Sequence, residues 1–285
     1  MRKQVLKDIV VLYHADCSDG FGGAWAAWKK FGARASYLPV RHDLPVPKGL
    51  RGKEIYMIDF TYRRPRTVKL MVHNKRVTAI DHHESVEDVT KLTKDNLYST
   101  KHSGAVLAWN YFHPRKKVPI LLRYIEDRDM WWWKMPKAHE LLACMEIGER
   151  NFSSWNKIAI DLENIAKRRR YIERGKAFLL YDQHIVKDLA KHAELVRFEG
   201  HTIYAINAPH RFANEVGALL YKKLPSFALV WREQEGKILV SMRGDGKVDT
   251  GKIAKKFGGG GHPASSGFVF NAGARPWKLI RNGKK

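Results

Sequence analysis

Cysteine is nearly missing from this chain: Cys17 and Cys144 are the only two in 285 residues. They lie far apart and without metal-ligand spacing, which excludes a disulfide framework and a zinc ribbon and suits a reducing compartment. Also missing is any run near the roughly 20 uninterrupted apolar residues that a membrane-spanning helix needs. The opening Met1-Arg2-Lys3-Gln4-Val5-Leu6-Lys7-Asp8 leads toward a strand rather than reading as a signal peptide, so a cytoplasmic location without membrane attachment is expected. Acidic side chains are scarce: 29 Asp and Glu stand against 52 Lys and Arg, a formal net charge of +23. An excess of that size points to a polyanionic partner. What is present is ordinary for a folded chain of one large or two modest domains, with 44% hydrophobic residues and no internal repeat or low-complexity tract.

Asp8 to Tyr13 is a β-branched apolar run that ends at a polar segment, and residues 21 to 31 then return apolar side chains at helical spacing. The pattern recurs where Glu54 to Ile58 runs into Asp59 and Arg76 to Ile80 runs into Asp81. Three buried-type strands thus deliver acidic residues at their carboxyl ends, where open parallel α/β sheets place ligands. Helices are expected near 103–112, with Ser103 as cap, and near 118–129 after Pro119. Residues 155–192 read as a long basic amphipathic connector containing Lys167-Arg168-Arg169-Arg170. Beyond it the pattern changes to short strands at 202–206, 227–231 and 237–242, with a helix near 212–222. The expected division is a first domain over 1–154, the connector over 155–192 and a second domain over 193–285.

The chemistry concentrates in His14-Ala15-Asp16-Cys17-Ser18-Asp19-Gly20, a tight loop directly after a strand. Imidazole and carboxylate together suit a borderline-hard divalent ion such as Mn(II), and the lack of thiol clusters argues against structural zinc. Cys17 reads as a small packing residue rather than a ligand, because carboxylates flank it. Asp59, Asp81-His82-His83 and Glu126-Asp127-Arg128-Asp129 supply further ligands, enough to fill two adjacent metal positions. Taken singly, an Asp-His-His triplet is more often surface polarity, and a strand-end acid more often a helix cap. Their placement at successive strand ends is what makes them a constellation.

With these residues in order, the chain resembles the DHH phosphoesterase superfamily, relatives of single-strand exonucleases, nanoRNases and cyclic-dinucleotide phosphodiesterases. Asp81-His82-His83 is the naming triplet. At the far end, Gly258-Gly259-Gly260-Gly261-His262-Pro263-Ala264-Ser265-Ser266-Gly267 is similar to the glycine-rich motif of the DHH-associated carboxy-terminal domain, and Ser241-Met242-Arg243 resembles the strand that precedes it. The resemblance implies an α/β fold: a parallel-sheet DHH catalytic domain joined by a helical connector to a smaller α/β domain that binds substrate. It implies His14, Asp16 or Asp19, and Asp59 around one metal, with Asp59 bridging to a second metal held by His82 and by Asp127, or by Asp129 as the alternative. Asp81 then orients the neighbouring imidazole, and His83 faces the substrate phosphate. Phe21 stands where some relatives carry another acid, so the two acids of the first loop are not assigned between the metals.

In the second domain Gly259, Gly260 and Gly261 let backbone N–H groups approach a phosphate, with His262 and Arg243 for the anionic end of a substrate. Lys252, Lys255, Lys256 and His210-Arg211 are weaker phosphate candidates. Trp25 and Trp28 read as core, while Trp131-Trp132-Trp133 suits packing and base stacking equally. The resulting expectation is a two-metal hydrolase, most simply with Mn(II), acting exonucleolytically on short oligonucleotides or single-stranded RNA or DNA. The alternatives are a phosphatase or phosphodiesterase for a small nucleotide, such as an adenosine bisphosphate or cyclic dinucleotide, and a nucleic-acid-binding protein without catalysis. A homo-oligomer is compatible with all three.

Overall fold

The computed structural model describes residues 5–42, 44–273 and 275–280. Met1 to Gln4, part of the segment read for a signal peptide, lie outside them. No helix among the described residues is long and apolar enough to cross a membrane. The chain divides into two compact units, Met1–Phe178 and Leu179–Lys285.

The first unit is built on a five-stranded sheet in which every pairing is parallel, in the order β2-β1-β3-β4-β5. Its strands are β1 Ile9–His14, β2 Ala35–Val40, β3 Glu54–Ile58, β4 Arg76–Asp81 and β5 Asp95–Tyr98. Val10, Val11 and Leu12 of β1 are wholly buried, as are Ile55, Met57 and Ile58 of β3, which is why these runs are apolar without alternation. The connections give helices α1 Ser18–Phe31, α2 Arg64–His73, α3 Glu87–Leu92, α4 Gly104–Phe112, α5 Ile120–Asp129, α6 Ala138–Ile147 and α7 Phe152–Glu163. One further helix, α8 Ile165–Lys191, runs from this unit into the next.

Aromatic residues fill the space between α1, α4 and α7. Trp25 stacks on Trp109 with ring centroids 5.6 Å apart, Trp28 stacks on Phe152 at 5.6 Å, and Phe21 meets Trp155 edge-on at 4.8 Å. Phe21 is therefore a core residue, buried to 4% exposure. Close approach of α1 to β3 depends on Gly23, because a Cβ there would come 2.4 Å from Ile58 Cγ2. Trp155, Ile158, Ala159 and Leu162 turn the inner face of α7 into this same core.

Sheet order 2-1-3-4-5 reverses between β1 and β3, and the crevice outside the carboxyl ends of strands at such a reversal is where open α/β sheets bind ligands. His14 is the last residue of β1, and Asp59 is the first residue after β3.

In the second unit seven strands form one sheet in the order β10-β11-β9-β8-β7-β6-β12. They are β6 Glu194–Phe198, β7 His201–Asn207, β8 Phe227–Gln234, β9 Lys237–Gly244, β10 Gly260–His262, β11 Ser265–Asn271 and β12 Lys278–Leu279. Among the described residues of this unit only β7 and β8 pair in parallel, joined by α9 Ala213–Lys223, and α10 Thr250–Lys256 precedes β10. Alternating side chains divide between two cores. Phe198, Ile203, Phe227, Leu229, Met242 and Phe268 gather with Ile253 and Ala254 of α10, while Val216 and Leu220 of α9 meet Val186 and Ala190 of α8 across Ala228 and Val230.

Candidate active site

Four stretches of the first unit converge. His14 Nδ1 lies 3.5 Å from Asp59 Oδ2, and His82 Nε2 lies 3.2 Å from Asp59 Oδ1, 3.8 Å from Asp19 Oδ2 and 3.6 Å from Asp129 Oδ2. Asp59 stands at the centre, 2% exposed, with one carboxylate oxygen toward His14 and the other toward His82. Its backbone sits in the left-handed region at φ 55°, a conformation that costs a non-glycine residue energy and that Asp and Asn tolerate better than most.

The neighbours are fixed by hydrogen bonds. Asp19, in the first turn of α1, accepts from the N–H of Gly104 at 2.7 Å and of Ala105 at 3.0 Å, so the amino end of α4 holds its carboxylate. Gly104 allows this approach, since a Cβ there would meet Asp59 Cβ at 2.5 Å. Asp81 is fully buried; it accepts from Thr61 Oγ1 at 2.7 Å, from the N–H groups of His82 and His83, and from His83 Nδ1 at 2.8 Å. A carboxylate can only accept, so His83 carries its proton on Nδ1 and keeps Nε2 for another partner. The imidazole that Asp81 orients is thus His83.

The charges are poorly matched as they stand. Burial raises the Asp19 carboxyl well above its ordinary value, and the charges of Asp59 and Asp129 raise it further. Burial and the charge of Asp59 raise Asp129 in the same way. Burial would raise Asp59 too, but contacts from His14 and His82 outweigh it and hold this carboxyl below the usual range. His82 is disfavoured as a cation by burial, yet Asp59, Asp19 and Asp129 push its pKa up to about 9. Asp59 Oδ1 is buried with no hydrogen bond among the described residues. A crowd of carboxylates with an orphaned oxygen and imidazole nitrogens facing the same point is a donor set suited to divalent cations.

Two acids singled out from sequence do not reach this point. Asp16 takes a left-handed backbone at φ 62°, which turns its carboxylate outward to 79% exposure beside Arg41 at 3.5 Å. Of the loop's two acids, Asp19 is the one at the cluster. The preference for Asp127 over Asp129 is likewise corrected. Asp127 accepts from the backbone N–H of Lys134 at 2.7 Å and Met135 at 3.0 Å, holding the turn after α5, while Asp129 faces His82. Glu126 is used elsewhere too, accepting from His102 Nδ1 at 2.8 Å and from Ser103 N–H.

The pair separates experimentally. Asp127→Ala removes a buried carboxylate that holds two part-buried N–H groups and is expected to cost about 1–3 kcal/mol of stability in a denaturant titration. Asp129→Asn should leave stability within about 0.5 kcal/mol and weaken divalent-ion binding roughly tenfold or more by calorimetry. The opposite pattern would return Asp127 to the site.

The Trp run splits by role. Trp133 packs on the core and stacks on His139 at 3.9 Å, whereas Trp131 and Trp132, just past Asp129, are 76% and 41% exposed.

In the second unit, register sets His262 opposite Ser265 and Ser265 opposite Arg243, a row across three strands. Arg243 donates from Nε to Asn214 Oδ1 at 2.7 Å and from Nη1 to the Met242 carbonyl at 2.8 Å. The expectation that Gly259 offers its N–H to a phosphate is corrected, because that N–H donates to the Ala254 carbonyl at 2.9 Å. Glycine is needed there for space, since a Cβ would come 2.1 Å from the Gly267 carbonyl oxygen. Gly261 has φ 136°, and Gly260 has open space where a Cβ would stand. Three of the weaker candidates are already paired: Arg211 with Asp182, Lys252 with Asp249 and Lys256 with Glu199.

Two contributors escaped the sequence reading. Thr61 and Gly104 carry no chemical signal of their own; Thr61 acts through Asp81, and Gly104 through Asp19 and through the space it leaves beside Asp59.

Comparison with known proteins accords with this arrangement. Residues 211–276 match the DHHA1 domain. An uncharacterised protein of Acanthamoeba polyphaga mimivirus is 28% identical over 95% of this chain and 70% of its own length. Among solved structures, a DHH domain described as a member of a family of ribosomal proteins aligns at TM-score 0.54 and 14% identity over 96% of this chain and 83% of that one. PggH of Vibrio cholerae, described as a pGpG-specific phosphodiesterase, aligns at TM-score 0.50 and 14% identity over 93% and 94%. These likenesses establish the fold. The chain thus carries a DHHA1 domain over residues 211–276, and its fold, with the Asp81-His82-His83 triplet on a parallel sheet ahead of that domain, is similar to that of DHH-domain proteins.

Proposed function

We propose that this chain is a divalent-metal-dependent phosphodiesterase that hydrolyses short or single-stranded nucleic acid from an end, by two-metal chemistry. The observation that carries the reading is Asp59: one buried carboxylate with His14 on one oxygen and His82 on the other, within reach of Asp19 and Asp129. His14 and Asp59 would hold one ion; Asp59, Asp19, His82 and Asp129 would hold the second. Bound there, two ions neutralise the phosphodiester and make water acidic enough to serve as nucleophile near neutral pH. Mn(II) suits this mixture of imidazole and carboxylate.

The chain's own groups do the positioning. His83, braced by Asp81 and nearly half exposed at its side chain, offers Nε2 to a phosphate oxygen. Exposed Trp131 and Trp132 give bases a stacking surface, worth about 1–3 kcal/mol per base. A net charge of +23 draws a polyanion and favours oligonucleotides over a small nucleotide. Arg243 and His262 bind the anionic end of the substrate. Arg243→Ala is expected to raise KM roughly tenfold or more with little change in kcat; a change confined to kcat would remove Arg243 from binding.

The test is a substrate panel in Mn(II) with a chelator control: labelled dinucleotides, longer single strands, cyclic dinucleotides and adenosine bisphosphate. Chelator-sensitive release of mononucleotides from the linear substrates is expected. Turnover of adenosine bisphosphate or cyclic dinucleotide alone would move the assignment to a small nucleotide. Tight binding without cleavage under every divalent ion would leave a nucleic-acid-binding protein. PggH, the structural neighbour described as pGpG-specific, makes the linear dinucleotide the first substrate to try.

A further inference from the structure

We propose that Cys17 is itself a metal ligand, and that the His14 position of the site is a nitrogen–sulfur–oxygen site preferring zinc or cobalt to manganese or magnesium. The inference rests on the metal-dependent reading above and sharpens it. Cys17 Sγ lies 3.7 Å from His14 Nδ1 and 3.3 Å from Asp59 Oδ2, and those two atoms are 3.5 Å apart. Ligands at about 2.0–2.3 Å from a tetrahedral zinc stand roughly 3.3–3.6 Å from one another. The three donors already have nearly that spacing.

Asp59 is the second pointer. Its carboxylate is 2% exposed, and Oδ2, the oxygen that faces His14, is also the one that Cys17 Sγ meets, so imidazole, sulfur and buried carboxylate oxygen turn toward one point. No carboxylate of the loop competes for the place beside His14. Asp16 turns away to Arg41, and Asp19 is held at the amino end of α4.

A capping role does not account for the residue type. Cys17 Sγ does accept from Gly20 N–H at 3.0 Å at the start of α1, but sulfur is a weak acceptor, and Ser, Thr, Asp or Asn caps a helix better. A soft donor in a set otherwise of nitrogen and oxygen changes which ions it selects. On binding, the S–H bond gives way to a metal–sulfur bond and the proton passes to solvent. The other position, with Asp19, His82, Asp129 and the far oxygen of Asp59, has no sulfur, so the two positions differ in preference.

Cobalt(II) tests this directly in the full-length chain under reducing conditions. Uptake is measured by equilibrium dialysis and ligation by the near-ultraviolet sulfur-to-cobalt charge-transfer band. The band is expected in the native chain and in Cys144→Ser, and not in Cys17→Ser, which retains a helix cap. Zinc affinity should fall about 100-fold or more in Cys17→Ser, since even loss of a partner behind a ligand costs 10–100-fold. Cys17→Asp should shift preference toward manganese. Cobalt bound by the native chain without the band, or a band surviving in Cys17→Ser, overturns the assignment of Cys17 while leaving metal dependence intact. No uptake of any divalent ion overturns both. Because the band in Cys144→Ser can come only from Cys17, a Cys17→Ser variant that misfolds leaves the assignment decided by Cys144→Ser.

Discussion

Asp59→Asn is expected to reduce phosphodiester turnover by about 10³-fold or more, with the fold preserved. Asparagine has the shape of aspartate and tolerates the left-handed backbone at φ 55°, so the substitution removes charge without straining the turn after β3. What it removes is the single group that faces both His14 and His82. A carboxamide offers one oxygen where a bridging carboxylate offers two. The metal-free variant should melt close to the native chain, because the charged contacts it loses with His14 and His82 are offset by the repulsion relieved at Asp19 and Asp129. Added Mn(II) should raise Tm of the native chain and not of the variant, since only a ligand that binds the folded state stabilises it. Native-like turnover at saturating Mn(II) would end the bridging role.

Gly104→Ala tests the same centre from the opposite side. By helix propensity alone, alanine is better than glycine by about 1 kcal/mol. Here its Cβ would lie 2.5 Å from Asp59 Cβ, 2.9 Å from Asp59 Oδ1 and 3.0 Å from Asp19 Oδ2. No flexible side-chain end is available to yield, because the first contact is Cβ of a residue in a constrained turn. Turnover is expected to fall about 100-fold, the usual consequence of displacing catalytic groups by an ångström. Stability should fall by about 1–3 kcal/mol, as in other overpacked cores. Steady-state kinetics and a urea titration check the two effects, and a more stable variant with native kcat would show that the carboxylates do not need this close approach.

The parallel sheet was legible in sequence because its central strands are largely buried and read as apolar runs, the first closing on His14 and the next two on Asp59 and Asp81. Edge strand β2 escaped notice: its side chains are mostly half-exposed and Pro39 interrupts the pattern. Helix α2 begins with Arg64-Pro65-Arg66 and buries only Thr67 and Leu70, too few positions to show helical period.

Within the site, His14, Asp59 and His82 are recoverable from the rule that parallel strands deliver function at their carboxyl ends. Choosing between neighbouring acids is not. Asp127 and Asp129 are about 200° apart around a helix, so the choice is one of faces. Both faces are polar at that point, and only packing says which turns toward His82. Asp16 and Asp19 are separated by one residue's backbone sign, which composition does not reveal. The glycine run misleads for a related reason, since glycine permits close approach by anything, and at Gly259 what approaches is the chain's own Gly267 rather than a ligand.

The bond from Asp19 to the start of α4 joins residues 85 positions apart in sequence. Assembly of the acidic cluster is for that reason an outcome of tertiary folding, not of any local motif. A peptide ending before Gly104 would contain His14, Asp59 and the whole Asp-His-His triplet, yet would lack the dipole that pins Asp19 in register. Recovery of ion affinity during refolding should therefore lag strand formation and coincide with the docking of α4 onto α1.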